Sequence, residues 1–383
     1  MTRRARPSWV ADAVVTVFAF LLALVLGGVL VVVSSEEVTS AFGYFFSRPQ
    51  DALLGSLQVV GATYGALLRG SLGGPTQISQ TLLEATPLIC AGLSVSLAFR
   101  AGLFNIGAQG QLIMGALAAG LVGFGVTLPP VLHLVAAVVA GVLAGALWGG
   151  IAGALKARTG AHEVITTIML NYVALNILVW LLNTDLLQRP GSNDPVSPSV
   201  DETAQFPQVF GTRLHLGFLL ALAAAAGVWW LLARTTTGFE FRAVGANSSA
   251  ARTAGMSVAR GYTLVMVLAG ALAGLAGVMQ VSGRDLPLTD GIAATIGFDA
   301  ITVALLGRAT PLGTVLAGLL FGALQAGSRT MQLETGTPLT LVTVLQALIV
   351  LFIAAPALVR AVVRWRALRG TGGGEVLAKG WNG

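Results

Sequence analysis

The sequence predicts an all-α membrane protein that crosses the bilayer about ten times, with both termini on the cytoplasmic side. Of its 383 residues 55% are hydrophobic and only 10% are charged, whereas soluble domains carry roughly 25% charged residues. Apolar runs of about 20 residues, the length needed to cross a bilayer, recur along the chain. Lys and Arg concentrate in alternate connecting segments, as the positive-inside rule requires. A chain with a mean hydropathy of +0.82 belongs in lipid.

Ten runs are apolar enough to be membrane spans, and their lengths fit or nearly fit the bilayer. They are 10–33, 80–99, 105–125, 131–155, 163–183, 213–232, 261–281, 293–307, 311–330 and 338–359. The run at 293–307 is short, so we expect it to be tilted, broken or merged with its neighbour. The first run follows Arg3, Arg4 and Arg6. It is about twice as long as the apolar core of a signal peptide, which predicts a retained first span.

The distribution of charge sets the predicted orientation. With the N-terminus inside, the inner segments hold 16 of the 22 Lys and Arg residues, and the outer segments hold 6. Ten of the 16 acidic residues fall on the outer segments. An excess of basic residues on inner loops is the usual signature of orientation.

The segments between these spans are short apart from three loops and a tail. Residues 34–79 are of mixed polarity and predict an outer stretch, with a helix on the membrane surface as one option. Residues 184–212 contain four prolines and predict an outer loop. Residues 233–260 form the longest inner loop, and 360–383 form a basic, Gly-rich inner tail. We therefore expect a single transmembrane domain over 1–383, with no soluble domain.

The sequence carries no recognisable catalytic or metal-binding motif. Cys90 is the only cysteine, which excludes an intramolecular disulfide and a cysteine metal cluster. None of His133, His162 and His215 has a second ligand at metal-binding spacing. There is no phosphate-binding loop and no nucleophile elbow. The sequence therefore does not predict an enzyme, and an intramembrane enzyme with residues from distant spans is the alternative.

A stripe of glycines runs along the fourth span. Gly141, Gly145, Gly149 and Gly153 recur every four residues, so they line one flat face of a helix where another backbone can approach closely. Packing within this chain is favoured over a contact between subunits.

The long inner loop predicts a short capped helix. Asn247 or Ser248 can accept hydrogen bonds from the first free backbone N–H groups, and Gly255 can end the helix. A helix of this length is marginal alone in water, so it needs a surface to dock on. A groove on a soluble partner and the surface of its own subunit are the two alternatives.

Polar side chains inside the predicted spans mark a candidate substrate pathway, because such residues are costly in lipid and often functional. The candidates are Glu84, Asn105, Gln109, Gln111, Thr167 and Asn171. Gly107 and Gly110 allow a break in the third span, and broken helices expose backbone groups to polar solutes. The alternative for these residues is hydrogen bonding between packed helices. For Asp299 we favour a structural role.

Several stretches resemble permeases of bacterial ATP-binding-cassette importers of the ribose and branched-chain amino-acid type. The inner-loop stretches that carry this resemblance are Gly238–Asn247 and Ala250–Gly255. Further stretches narrow it to the permeases of general nucleoside importers, relatives of simple-sugar permeases; they are Ala85–Leu93, Phe99–Gln111, Glu163–Tyr172, Gly297–Arg308 and Pro311–Gly313. The resemblance covers roughly residues 80–360 and is more specific for the permease class than for the substrate.

The resemblance implies a mechanism and a set of partners. Two permease subunits form the pathway in the bacterial plasma membrane. We expect them to be this chain and a paralogous one. Two ATPase subunits dock beneath them and bind ATP and Mg²⁺, so this chain needs no cofactor. A binding protein, often a lipoprotein in this group, delivers substrate from outside, and nucleic acid is not a partner. The residues that match the ATPase-coupling motif are Gly238, Arg242, Gly245, Asn247, Ala251 and Gly255.

The resemblance makes nucleosides the expected substrate, with a simple sugar such as ribose as the alternative. An ion-coupled secondary transporter is a less favoured alternative from another class. It would need two similar halves and buried carboxylates; Glu84 and Asp299 would serve, but the sequence shows no convincing internal repeat. A channel or a structural membrane protein would leave the inner loop without a purpose.

Overall fold

The computed structural model describes residues 8–209 and 211–354, and this part of the chain is helical with no β-sheet. The helices, in chain order, are α1 (Ser8–Ser34), α2 (Glu36–Phe42), α3 (Pro49–Leu72), α4 (Pro75–Arg100), α5 (Ala108–Gly125), α6 (Pro130–Thr159), α7 (Glu163–Leu182), α8 (Gly217–Arg234), α9 (Thr236–Ala246), α10 (Ser248–Thr253), α11 (Val258–Val278), α12 (Ile296–Leu306), α13 (Pro311–Thr335) and α14 (Thr340–Ala354). The predicted all-α class is confirmed.

Nine helices in the described part of the chain are long and apolar enough to cross a membrane. Eight of them correspond to predicted spans. The ninth, α3, lies in 34–79, where the sequence predicted no span; its mixed polarity concealed a helix of 24 residues. The predicted span at 293–307 is wrong, because α12 has 11 residues and needs about 20 to cross. The basic tail 360–383 lies outside the described residues.

The chain divides into two compact units. The first contains α1, α2, α3, the last part of α13 and α14. Within it the Tyr64 hydroxyl of α3 donates to the Leu24 carbonyl of α1 at 2.6 Å. A Cβ at Gly27 of α1 would meet Tyr64 and also Leu345 of α14. Gly27 therefore leaves the room that the Tyr64 and Leu345 side chains need where α3 and α14 pack against α1.

The second unit, residues 79–322, is built around α4. Every residue of α4 from Leu83 to Ala98 is buried, which is unusual for a helix at membrane depth and makes α4 the centre of this unit. Small residues let α13 lie close to α4, since a Cβ at Gly318 would overlap Ile89. The hydroxyls of Ser96 and Thr314 are 2.7 Å apart and form a hydrogen bond between the two helices.

The glycine stripe of the fourth predicted span packs inside this unit. A Cβ at Gly145 of α6 would overlap the backbone of Gly270 and Gly274 of α11, and a Cβ at Gly149 would meet the Met266 carbonyl. The backbones of α6 and α11 therefore touch, as small-residue faces permit. The prediction of packing within the chain is confirmed.

The unit has two distinguishable ends. The α9–α10 end carries those two short helices. The opposite end, the 183–216 end, carries the long loop between α7 and α8. That loop is folded onto the helices: His133 of α6 lies between the Thr203 hydroxyl (2.7 Å) and the Val122 carbonyl (2.9 Å). The Asp201 N–H donates to the Gly123 carbonyl at 2.8 Å, so the proline-rich segment is an ordered cap.

His215 closes this cap at the start of α8. Its ring is 1% exposed and stacks on Phe206 with centroids 5.5 Å apart. Nδ1 accepts a hydrogen bond from the Gly217 N–H at 3.1 Å, while Nε2 has no hydrogen-bond partner among the described residues. Burial, and secondarily the positive charge of Arg284, lower the pKa of His215 to about 4. The ring is therefore neutral at pH 7.

Acidification should loosen this cap. The pKa of His215 is near 6.5 in the unfolded chain and about 4 in the folded one, so only the unfolded state takes up a proton between these values. Its contribution to stability is complete above pH 6.5 and falls as the pH drops, by on the order of 2 kcal/mol at pH 5. The measurement is thermal unfolding at pH 7.5 and pH 5. His215→Gln should show a smaller pH dependence than the wild type; an equal dependence would contradict this role.

Candidate functional site

Residues 101–107 interrupt the helix between α4 and α5. The backbone turns at Gly102, where φ is +74°, a conformation that glycine adopts without strain. Asn105 is fully buried beyond this turn. Its side-chain oxygen Oδ1 accepts from the Gly107 N–H at 3.0 Å. Its side-chain amide also exchanges two hydrogen bonds with the side-chain amide of Gln111, at 3.1 and 3.2 Å. The two predicted pathway residues thus hold the interruption together.

Asn171 of α7 completes the support of this segment from the side. Its Oδ1 accepts from the Gly110 N–H at 2.8 Å, and its Nδ2 donates to the Ile106 carbonyl at 3.0 Å. The first N–H groups of a helix lack partners within the helix, so Asn171 acts as a cap for α5 supplied by another helix. Thr167, one turn earlier on the same face, is 1% exposed and donates to the Glu163 carbonyl at 2.7 Å.

Gln109 joins the start of α5 to the start of α12. Its Oε1 accepts from the Gly297 N–H at 2.8 Å, and its Nε2 donates to the Ala294 carbonyl at 2.7 Å. A Cβ at Gly297 would overlap the backbone of Gln109, so the two helix starts are in direct contact. Five of the predicted pathway residues therefore surround the starts of α5 and α12, where their polar atoms bond to this chain.

The sixth predicted residue, Glu84 of α4, lies elsewhere. Its carboxylate receives two hydrogen bonds from the Arg284 guanidinium at 2.9 and 3.0 Å and one from the Gln80 amide at 2.9 Å. Arg284 follows a π-helical turn, Met279–Gly283, which also directs Gln280 toward the guanidinium at 3.3 Å. No local pattern in the sequence pointed to this partner, because the two residues are 200 positions apart.

The inner loop forms two helices rather than one. α10 has the predicted caps: Asn247 Oδ1 accepts from the Ala250 N–H at 2.9 Å, and Gly255 ends the segment at φ +84°. The preceding α9 was not predicted. It contains Gly238 and Gly245, and glycine is unfavourable inside a helix. Thr235 caps it by accepting from the Gly238 N–H at 3.0 Å.

The coupling-motif residues divide into supports and surface. Ala251 is buried against Val244 and Val258 of the same chain, so α10 docks on its own subunit. Gly238 is buried at the α8–α9 turn. Gly245 lies against the backbone of Arg100 and Gly102, where a Cβ would overlap the chain. The exposed residues of this end include Phe239, Arg242, Ser249, Ala250, Arg252, Thr253 and Ala254.

Contact between Gly245 and Gly102 joins the α9–α10 end to the 101–107 segment. Arg100, at the end of α4, donates from Nε to the Ala309 carbonyl at 2.7 Å, which ties the end of α12 to the same place. A movement of α9 would therefore reach the interruptions that begin α5 and α12. Within the described residues no group of acidic residues, His and Cys is placed to hold a metal ion.

An all-α membrane protein with interrupted helices and an exposed helical pair at one end has the architecture of a transport permease. Residues 77–354 match the family described as "Branched-chain amino acid transport system / permease component". The chain belongs to this permease family, which confirms the resemblance deduced from the sequence.

Named relatives cover most of the chain. It is 38% identical over 352 residues to the guanosine ABC transporter permease protein NupP of Bacillus subtilis (91% of this chain, 95% of the relative). It is 35% identical over 362 residues to the glucose ABC transporter permease protein TsgB13 of Haloferax volcanii (92% and 89%). It is 33% identical over 316 residues to the nucleoside ABC transporter permease protein NupB of Lactococcus lactis (78% and 85%).

Bacillus subtilis and Lactococcus lactis each contribute a second, more distant permease match. No solved structure matches the chain.

Removing the cap that Asn171 supplies should destabilise the protein. Asn171→Ala leaves the Gly110 N–H and the Ile106 carbonyl without this partner in a buried place, which costs about 1–3 kcal/mol for each such group. Asn176→Ala is the control, because Asn176 is exposed on the same helix and bonds only to the Tyr172 carbonyl at 2.7 Å. Unfolding in detergent measures both; equal stability of the two variants would exclude this role of Asn171.

Breaking the Glu84–Arg284 pair should also be costly. Glu84→Gln leaves the guanidinium of Arg284, whose side chain is 16% exposed, without its counter-charge; losses of about 3–5 kcal/mol are typical of fully buried pairs, and we expect a loss toward the lower end of that range. The control is Glu334→Gln, which breaks the exposed pair between Arg69 and Glu334; exposed pairs contribute about 0–1 kcal/mol. The same unfolding assay distinguishes the two. If the variants lose equal stability, the Glu84 pair is not a structural support.

Proposed function

We propose that this chain is a membrane-spanning permease subunit of an ATP-binding-cassette importer that carries nucleosides across the bacterial plasma membrane. ATP would be hydrolysed by separate ATPase subunits, to which Mg²⁺ also binds. The observation that carries this proposal is the α9–α10 pair, an exposed element whose supports connect directly to the interrupted helices. A purely structural membrane protein has no need of such a connection.

Exposed groups on α9 and α10 supply the proposed ATPase contact. Arg242 and Arg252 are exposed and present positive charge to a soluble partner. Ala251 and Gly245 instead hold the pair on this chain. The coupling motif thus has two roles, contact with the partner and attachment of the helical pair to its own subunit. The pair is pre-formed, so docking loses less conformational entropy than ordering a loop would. This end of the unit is then the cytoplasmic one, in agreement with its basic charge.

The remaining partners follow from the family. Relatives occur as pairs of permease proteins in two bacteria, which supports a second, paralogous permease beside this chain. A substrate-binding protein would dock at the 183–216 end, where the ordered cap offers a folded surface. Transport would then proceed by alternation of the two permeases between outward- and inward-facing states.

Nucleosides are favoured as substrate by the relatives' names. The guanosine permease protein NupP is 38% identical over 91% of this chain, and the nucleoside permease protein NupB is a further relative. The second candidate is a hexose, because the glucose permease protein TsgB13 is 35% identical over 92% of this chain. The two candidates share the permease mechanism and differ in the bound solute.

Ion coupling receives no support from Glu84, one of the two candidate carboxylates. A coupling-ion site requires a buried carboxylate that binds and releases its cation during transport. Glu84 is held by a bidentate contact with Arg284 and by the Gln80 amide. The guanidinium is permanently charged, so it already fulfils the role of the cation.

Uptake by cells tests the substrate. Cells with and without the gene are given labelled guanosine, glucose or ribose in separate assays, and unlabelled nucleosides, glucose and ribose compete with each. We expect gene-dependent uptake of guanosine that only nucleosides reduce. Gene-dependent uptake of glucose or ribose without uptake of guanosine would establish a sugar permease, and absence of any gene-dependent uptake of nucleosides or sugars would refute both candidates.

Coupling is tested by a bulky residue at Gly255. Gly255→Leu places a side chain at φ +84°, a strained conformation costing about 1–2 kcal/mol, at the end of α10. Gly160→Leu is the control, since Gly160 ends α6 at φ +70° and, like Gly255, has open space around it, so the two variants differ in the helix end that the strain affects. We expect Gly255→Leu to reduce guanosine uptake at least tenfold with normal insertion, and Gly160→Leu to leave uptake near the wild-type rate. Normal uptake by Gly255→Leu would contradict coupling through α10.

A further inference from the structure

A polar and aromatic stripe follows one side of α12 and is not explained by packing. Its members are Thr295, Phe298, Asp299 and Thr302, which recur at the three- and four-residue spacing of one helix face. We refer to these four residues as the α12 stripe. Phe298 is 48% exposed, and Thr295 is exposed as well. The opposite face of α12 holds the helix in place, since Ala300 and Ala304 are fully buried.

The α12 stripe lies about halfway through the membrane. The C-terminal end of α12 is at the α9–α10 end, because Arg100 donates to the Ala309 carbonyl there. With 11 residues at 1.5 Å each, α12 rises about 16 Å from that end, roughly half of a bilayer core of about 30 Å. Its start touches the start of α5 through Gln109, and α5 continues to the 183–216 end.

The polar composition of the α12 stripe does not suit contact with lipid. The outward face of α6 shows a composition suited to lipid, because its exposed side chains between the two ends of the helix are aliphatic; they are Val131, Leu132, Val135, Val139, Leu143, Leu147, Ile151 and Leu155. The α12 stripe instead places a carboxylate and two hydroxyls within about 10 Å along the helix axis. Ionisable groups inside a membrane face the interior of an assembly or a water-filled cavity, so this face should line the pathway.

We propose that the α12 stripe is the nucleoside-recognition surface of the pathway. The Phe298 ring would stack on the nucleobase, since aromatic rings accept any base face. The Asp299 carboxylate would accept hydrogen bonds from the ribose hydroxyls, as a carboxylate offers several acceptor positions. This inference rests on the proposed function and adds to it the residues that contact the solute. Asp299 thereby has a role beyond the structural one expected from the sequence.

Hydrogen bonds within the stripe orient the proposed acceptor. The Thr295 hydroxyl donates to Asp299 Oδ2 at 2.8 Å, which holds the carboxylate one turn from the start of α12. The Thr302 hydroxyl donates to the Asp299 backbone carbonyl at 2.6 Å and remains on the same face. The aromatic ring and the carboxylate belong to consecutive residues, Phe298 and Asp299, so both are within reach of a base joined to a ribose.

Transport at saturating substrate tests the proposal in cells that contain all subunits of the importer. We expect Phe298→Leu to lower the saturated guanosine uptake rate about tenfold, and Phe298→Tyr, which keeps the ring, to stay within twofold of wild type. Asp299→Asn should reduce the preference for guanosine over 2′,3′-dideoxyguanosine about tenfold. Trp230→Leu is the control, an exposed aromatic residue on α8 that should not change uptake.

Photolabelling with 8-azidoguanosine gives a second readout on the wild-type complex, with adducts expected in a peptide that contains 295–302. Wild-type uptake rates in Phe298→Leu, or adducts confined to other segments, would overturn the recognition surface while leaving the proposed function intact. Loss of the second permease from the Phe298→Leu complex would also overturn it and assign this face to the subunit interface. A wild-type importer that carries glucose and no nucleoside would overturn both proposals.

Discussion

Satisfaction of backbone polar groups in an apolar interior is the constraint on which the rest of the structure depends. A helix interrupted at membrane depth exposes N–H and C=O groups that lipid cannot hydrogen-bond. The chain interrupts its helices before α5 and before α12, and it supplies partners for the backbone groups there from Asn105, Asn171 and Gln109. The result is a rigid junction of helix starts deep in the unit, which connects through Gly102 and Gly245 to the α9–α10 pair.

That constraint changes the meaning of the buried polar residues. Asn and Gln at membrane depth suggested contact with a solute, yet their amide groups bond to the backbone of their own chain or, in Asn105 and Gln111, to each other. Glu84 is likewise held by Arg284. The proposed contact surface for a solute is the outward face of α12, and the proposed contact surface for a soluble partner is the exposed side of α9 and α10. Support and recognition are thus carried by different residues a few positions apart.

Local patterns in the sequence predicted much of this architecture. Apolar runs located most helices, the spacing of Gly145 and Gly149 predicted close packing, and Asn247 with Gly255 predicted the ends of α10. Two features were hidden by composition: the mixed polarity of 49–72 concealed α3, and Gly238 and Gly245 concealed α9. The roles of Asn171 and Arg284 depend on partners far away in the sequence. No local pattern encodes such partners, so a structure was needed.

Measuring which source of energy drives transport tests the central claim most directly. The importer, purified with its ATPase, paralogous permease and binding protein, is reconstituted in liposomes, and guanosine accumulation is measured with ATP or with an ion gradient supplied. The account predicts accumulation that requires ATP hydrolysis and persists when ion gradients are abolished. Accumulation driven by a proton or sodium gradient in the absence of ATP would contradict it and make this chain an ion-coupled transporter.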